Sequence, residues 1–323
     1  MNKIFDPIIA AFRIVVPVII LYSISLAIDT NLVSLGDVPT WILWTIVPLL
    51  TAAIAHAIKP WILLPSGLLI GILINPLGVG IFGGIFAGLI LGYSYLYAST
   101  HFFRDKKPHL YDIKGVITLL LITAMTYVLM TYLIAPPIVF LLDQVNTYVA
   151  HIGTEETLLI VVILAMLNTI DLGGPFNKLS FGFAVQFYTD GYYHITGPLM
   201  VSVVIPPMVI LCSLLLFKKY YTTTERGNIK WLVIGSLFGL TETSLPIALK
   251  RPHMYIPILL VGAVIGSASA VLFGIENILL VVSLPGIIGV NYKLLYIVSH
   301  VIGVGTSLVL LALFIRSKTT ETE

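Results

Sequence analysis

Charge is what this sequence has least of. Only 10% of its 323 residues are Asp, Glu, Lys or Arg, against about a quarter in a soluble domain. No stretch is polar enough to fold as a separate water-soluble domain. A net charge of +2 leaves no basic footprint, so no nucleic-acid partner is expected. Cysteine is nearly missing as well: Cys212 stands alone and sits in an apolar run, which excludes an intrachain disulfide. His56, His101, His109, His151, His194, His253 and His300 show no metal-ligand spacing. Neither a phosphate-binding glycine loop nor a nucleophile elbow occurs, so no metal and no cofactor is expected.

What the sequence does have is apolar length. Hydrophobic residues make up 58% of it, in recurring runs of roughly 20, enough to cross a bilayer as a helix. The expected fold class is an all-α polytopic membrane protein with about 9–10 transmembrane helices. One domain is expected over 1–323, with the lipid bilayer as its surroundings. The first run, Ile14–Ile28, ends in Ser25-Leu26-Ala27, which loosely mimics a signal-peptidase site. More runs follow at once, so it reads as a retained first helix. Trp41–Ile58, the short Trp61–Pro76 and Gly78–Ala98 come next. Gly80, Gly84, Gly88 and Gly92 line one face of the last of these, where a neighbouring helix can approach closely. Gly262, Gly266, Ala270 and Gly274 offer a second such face.

Basic residues set the orientation. Arg104, Lys106, Lys107 and Lys114 place His101–Lys114 in the cytoplasm, and Lys218, Lys219, Arg226 and Lys230 do the same for a later loop. Both termini are expected on the cytoplasmic side, Arg316 and Lys318 marking the C-terminal one. Ala135–Thr157 carries Asp143, Glu155 and Glu156 but no Lys or Arg, and so reads as an outer loop after the span Val116–Ile134. Leu158–Ile170 and Leu199–Phe217 cannot alone connect that outer loop to the inner loop at Lys218. Residues 172–193 must add a crossing, or a neighbouring span must be incomplete. Beyond Lys230 the runs Trp231–Leu249, Tyr255–Phe273, Ile278–Val290 and Leu294–Ile315 supply an even number.

Two polar interruptions stand out. The first, Asn168-Thr169-Ile170-Asp171-Leu172-Gly173-Gly174-Pro175-Phe176-Asn177-Lys178, follows an apolar run directly. At bilayer depth Asp171 and Lys178 would each cost about 2.5–3.5 kcal/mol unless paired or hydrated. A broken helix is tolerated there only where protein or a watery cavity re-satisfies its backbone. A solute or ion site accounts for this pattern; a surface loop capping a span is the plainer account. The second, Gly239-Leu240-Thr241-Glu242-Thr243-Ser244-Leu245-Pro246, repeats it: a lone carboxylate among hydroxyls, then a proline break. A carboxylate accepts bidentately from vicinal hydroxyls, and Thr and Ser add donors and acceptors. The alternative is a structural glutamate paired with Lys178, Lys250 or Arg251. Glu276 and Asn277 read equally as an interfacial cap or a site, and His300 as a core histidine.

Asp171–Lys178 and Gly239–Pro246 resemble the paired signatures of the membrane IIC component of bacterial fructose-type phosphotransferase systems (PTS). Ala135-Pro136-Pro137, Ile205-Pro206-Pro207, the glycine-rich run from Gly78 to Tyr93 and Tyr255–Gly274 extend the likeness over most of the chain. The resemblance implies a multi-pass permease of the bacterial cell membrane. Such a protein binds a hexose or hexitol from outside and presents it to cytoplasmic IIB, itself charged by IIA, for phosphorylation during import. It assigns Asp171, Asn177 and Lys178 to the first sugar-site motif and Thr241, Glu242 and Pro246 to the second, with Glu242 accepting sugar hydroxyls and orienting or deprotonating the attacking one; Thr243 joins the candidate site as an added hydroxyl beside Glu242. The expected partners are the sugar, IIB and IIA, with a homodimer as the candidate assembly. No fused IIA or IIB domain is expected, and the phosphoryl donor residue would lie on a separate IIB. Two departures touch fructose itself as substrate. Leu284-Pro285-Gly286-Ile287 stands where the family commonly has Pro-His-Gly-Gly, and Thr243-Ser244 where it has Gly-Ala. A related carrier that does not phosphorylate its solute, and a solute-binding membrane sensor, are the alternatives.

Overall fold

In a medium without water an apolar run satisfies its backbone only by coiling on itself, and helices are what form. The computed structural model describes residues 5–31, 34–59, 61–101, 113–279 and 284–320. Its helices gather into two compact units, Met1–Ala150 and His151–Glu323.

The first unit contains α1 (Phe5–Asn31), α2 (Val38–Trp44), α3 (Ile46–Ile58), α4 (Leu64–Ile74), α5 (Gly80–His101), α6 (Ile113–Leu129) and α7 (Ala135–Val149). Glycines let α4 and α5 close on α3. A Cβ on Gly67 would fall 2.6 Å from the Ala52 Cα, and one on Gly88 2.8 Å from the Thr51 carbonyl oxygen. Gly84 faces Thr51 and Gly92 faces Ile58, so three of the four expected positions on that face are packed on α3. Lipid tails are as apolar as leucine, so contact at this range, rather than escape from water, holds such helices together.

α6 and α7 form one continuous helix through a π-helical turn at Met130–Ile134. The expected outer loop from Ala135 is therefore helical as far as Val149. Pro136 and Pro137 lack the N–H that an α-turn would use, and the wider turn just before them absorbs the mismatch. Leu120, Leu121, Met125, Leu133 and Phe140 on this helix are all more than half exposed, as expected of side chains against lipid.

The second unit contains α8 (Thr154–Ile170), α9 (Pro175–Thr189), α10 (Tyr193–Leu216), the single turn α11 (Thr223–Arg226), α12 (Ile229–Phe238), the turn α13 (Leu245–Ala248), α14 (Pro252–Leu272) and α15 (Lys293–Thr320). α10 is the central element, buried along most of its length despite Pro198, Pro206 and Pro207. On α14, Gly262 meets the Gly303 carbonyl and Ser307 of α15, and Gly266 meets Ile205 and the Ser299 carbonyl. Gly274 instead ends the segment at φ +63° with open space around it, so it is a cap and not part of the packed face. The described residues of Ile278–Val290 do not form the helix that the expected span requires. They hold an isolated bridge between Asn277 and Val290 and a 3₁₀ turn at Leu284–Gly289. Pro285, Gly286 and Gly289 interrupt a run already too short to cross. Asn277, buried, donates to the Gly286 carbonyl and accepts from the Leu279 N–H, which is the role of a cap.

The chain is thus an all-α polytopic membrane protein. Among the described residues, six helices are long and apolar enough to cross: Val38–Ile58, Gly80–His101, Ile113–Val149, Tyr193–Leu216, Pro252–Leu272 and Lys293–Arg316. The expectation of about 9–10 crossings depends also on the shorter apolar helices around the two breaks. Most of the basic segment His101–Lys114, including Arg104, Lys106 and Lys107, lies outside the described residues, as does the side chain of Lys318.

Candidate functional site

Both polar interruptions are helix breaks, built by different local rules. α8 stops at Ile170 and the chain turns sharply through Leu172 (φ +48°) and Gly173 (φ +111°). α9 then restarts with Pro175 in its first turn, where the missing N–H costs nothing. Asp171 locks this corner. Its carboxylate accepts from the backbone N–H groups of Gly174 (3.2 Å), Phe176 (2.7 Å) and Asn177 (3.1 Å), the donors a helix start leaves unpaired. The negative charge also faces the positive end of the α9 dipole. Leu172, a non-glycine at positive φ, is held there by burial at 1% exposure.

The second break ends α12 with Gly239 in the left-handed conformation (φ +65°). The Leu240 N–H bonds back to the Gly235 carbonyl at 2.9 Å, closing the helix end. Thr241–Ser244 then makes a 3₁₀ turn, and Pro246 opens α13.

The two breaks meet. Lys178 Nζ donates to Glu242 Oε1 at 2.6 Å, with the lysine side chain 19% and the glutamate 44% exposed. Of the partners open to Glu242 from the sequence, Lys178 is the one it takes. Lys250 and Arg251 turn instead to the buried Glu225, at 3.4 Å and 4.0 Å. Gly173 makes the meeting possible: a Cβ there would fall 2.5 Å from Glu242 Cγ.

Behind the ion pair lies a buried amide relay. Asn177 Nδ2 donates to both the backbone oxygen (2.6 Å) and Oδ1 (2.7 Å) of Asn168. It also makes a long 3.5 Å contact with Thr241 Oγ1. Asn177 Oδ1 accepts from Lys178 Nζ at 3.4 Å, and Asn168 Nδ2 donates to Ser202 Oγ of α10 at 3.0 Å. Asn168, Asn177, Thr241 and Ser202 are all 5% exposed or less.

The six residues expected at a site are therefore gathered in one unit, in three layers. Glu242 and Lys178 are accessible. Asn177 and Thr241 are buried supports. Asp171 spends its carboxylate on α9, and Thr243 donates its hydroxyl to the Leu240 carbonyl at 2.7 Å. Asn168 and Ser202 had no place among the expected site residues, and Ser202 has no sequence signal beyond being a hydroxyl in an apolar run. Among the described residues only Oε1 of Glu242 is engaged, so its second oxygen can still accept from a ligand. No group of three or more His, Cys, Asp or Glu among them could hold a metal ion. His300 is buried and donates from Nδ1 to the Tyr296 carbonyl at 2.8 Å, but its Nε2 has no hydrogen-bond partner among the described residues, so it is a core histidine satisfied at one nitrogen only.

Comparison with known proteins gives three informative relatives. The fructose-like permease IIC component 2 of Escherichia coli K12 is 26% identical over 252 residues, 77% of this chain and 68% of its own length. The fructose permease IIC component of Bacillus amyloliquefaciens is 28% identical over 283 residues, covering 83% of this chain and 88% of the relative. The PTS system fructose-specific EIIABC component of Bacillus subtilis 168 is 28% identical over 204 residues, and the chain spans only 31% of it. No family model matches the sequence, and no solved structure matches it.

Proposed function

We propose, since the chain is a relative of the IIC membrane components of fructose-type phosphotransferase systems, that it carries a hexose or hexitol into the cell for phosphorylation during import. One observation supports this most: two helix breaks deliver an accessible lysine–carboxylate pair, backed by buried amides, to a single place in a membrane protein. That is the chemistry of hydroxyl recognition. Glu242 accepts hydrogen bonds from neighbouring sugar hydroxyls through the oxygen that Lys178 leaves open. Lys178 offsets the carboxylate charge and offers further N–H groups to ring or hydroxyl oxygens. In the transfer step the sugar hydroxyl oxygen bonds to phosphorus as the carrier's bond to that phosphorus breaks. Glu242 takes the hydroxyl proton, a role that contributes about 100- to 10,000-fold where the base lies within reach.

The partners that go with this reading are a cytoplasmic IIB that delivers the phosphoryl group and a IIA that recharges it. A relative whose name joins A, B and C parts, the EIIABC component of Bacillus subtilis 168, supports that expectation. Lys218–Lys230 faces the cytoplasm and Ala135–Thr157 the outside, with both termini inside. In a Cys212→Ser background, Asn146→Cys is expected to react with an impermeant thiol reagent on intact cells. Asn228→Cys is expected to react only after permeabilisation.

The test is uptake into vesicles loaded with or without phosphorylated IIB, over a panel of hexoses and hexitols. Sugar phosphate should accumulate inside for at least one sugar, and only with the phosphorylated partner. Equal uptake of free sugar in both cases would replace this reading with a simple carrier.

A further inference from the structure

The amide relay has a direction, and the direction starts far from the ion pair. Ser202 Oγ–H donates to the Leu199 carbonyl at 2.7 Å, so its hydrogen is committed and its oxygen can only accept. An asparagine amide has one donating and one accepting end. Asn168 must therefore turn its NH₂ toward Ser202, which leaves Oδ1 toward Asn177. That oxygen and the Asn168 backbone carbonyl together form a purely accepting pair, at 2.7 Å and 2.6 Å from Asn177 Nδ2. Asn177 must in turn present Oδ1 to Lys178 Nζ, 3.4 Å away. Reversing Asn168 would set its NH₂ against that of Asn177 and its oxygen against the accepting Ser202 oxygen; reversing Asn177 would set carbonyl against carbonyl and an NH₂ against the ammonium. Both mismatches leave buried groups unsatisfied, and in a low-dielectric interior that is costly.

We infer that Ser202 and Asn168 are positioning residues, which fix the polarity of Asn177 and through it hold Lys178 on Glu242. Neither of them touches the exposed part of the site. The polarity of one hydroxyl on α10 is carried across α8 and α9 to the second break, in one unbroken donor-to-acceptor order. In the ligand-bound state this same order keeps an oxygen, and not an NH₂, beside the ammonium. This role in sugar recognition rests on the function proposed above; its effect on the ion pair does not.

The experiment therefore has two arms, each made with Ser202→Ala, which removes the hydroxyl with little change in volume. Without sugar, the coupling between Lys178→Met and Glu242→Gln is measured as a double-mutant cycle in unfolding temperature, in the parent and again in the Ser202→Ala background. The coupling should be present in the first and lost in the second. With sugar, Ser202→Ala should weaken binding about tenfold, the worth of one hydrogen bond, and have no further effect once Lys178 is Met. Asn168→Ala cuts the relay one link nearer the pair and should reproduce both results if Ser202→Ala is not recovered folded. An ion-pair coupling that survives Ser202→Ala or Asn168→Ala, or additive losses in binding, would overturn the positioning role. Failure of the parent protein to bind any sugar would instead count against the proposed function, while the sugar-free arm still decides the inference.

Discussion

Lys178 and Glu242 stand 64 residues apart in sequence, and their charged atoms stand 2.6 Å apart in space. Each comes from a helix break that, taken alone, would leave an ionised group in an apolar segment. Joined, the two remove each other's cost. Because the pair is partly exposed, its own contribution to stability is small.

The first prediction follows from that division. Glu242→Gln should keep the protein inserted and folded, since the amide can still accept from Lys178. Sugar binding should fall at least tenfold, because a charge-assisted acceptor is worth about 1.5–3 kcal/mol. Isothermal titration with the sugar identified by the uptake panel reads the loss. Wild-type affinity in this variant would remove Glu242 from the site.

Asp171 should behave in the opposite way. Asp171→Ala strips three N–H groups of their acceptor and should cost about 0.5–2 kcal/mol as a lost cap, seen as a lower unfolding temperature. Below that temperature the remaining folded protein should bind sugar within a few-fold of the parent. A tenfold or greater loss of affinity at unchanged stability would place Asp171 in contact with the ligand.

Asn177 and Glu242 should be coupled through Lys178. A double-mutant cycle on sugar binding, pairing Asn177→Ala with Glu242→Gln, should show about 0.5–3 kcal/mol of interaction, whereas independent positions add within about 0.5 kcal/mol. Additive losses would mean that the relay behind the pair has no bearing on the ligand.

Glu225 carries a pH dependence of its own. Burial pushes its carboxyl upward, but the backbone N–H and hydroxyl of Thr222, with Lys250 and Arg251 nearby, more than offset this and hold it below its usual value of 4.5. A lowered folded value means that the ionised form is favoured by folding. This stabilisation is complete above about 4.5 and is lost as the pH falls through the lowered folded value. Glu225→Gln should lower the unfolding temperature at pH 7, by an amount equivalent to about 1–3 kcal/mol. The gap from the parent should close in acid. An equal gap at both pH values would show that the loss is one of packing and not of charge.

Much of this arrangement was legible in the sequence, because a charge in an apolar run is conspicuous and demands a partner. Asp171, Lys178 and Glu242 stood out for that reason, and the glycines of α5 for their regular spacing. What was not legible is which polar group answers which. Asp171 and Glu242 look alike as isolated carboxylates, yet one serves the backbone of α9 and the other faces outward. The difference arises only once the corner at Leu172 and Gly173 has folded. Asn168 and Ser202 are ordinary residues of apolar helices until the relay orders them. The run Ile278–Val290 misled by its composition, since hydropathy does not register that two glycines and a proline favour a tight turn. Ala135–Thr157 misled the other way: acidic residues without Lys or Arg read as a loop, and the π-turn before Pro136 and Pro137 lets the helix continue to Val149.

That continuous helix has a consequence for how the protein sits in its surroundings. Ile113–Val149 comprises 37 residues, about 55 Å at 1.5 Å per residue, while the hydrocarbon layer is about 30 Å thick. Tilts of up to about 40° do not hide such a length, so part of the rod must emerge. Asp143, Gln144, Asn146 and Thr147 identify the end that does. The acidic stretch after Pro137 is thus a stiff post rising from the membrane surface, whose reach is set by helix geometry instead of by chain entropy.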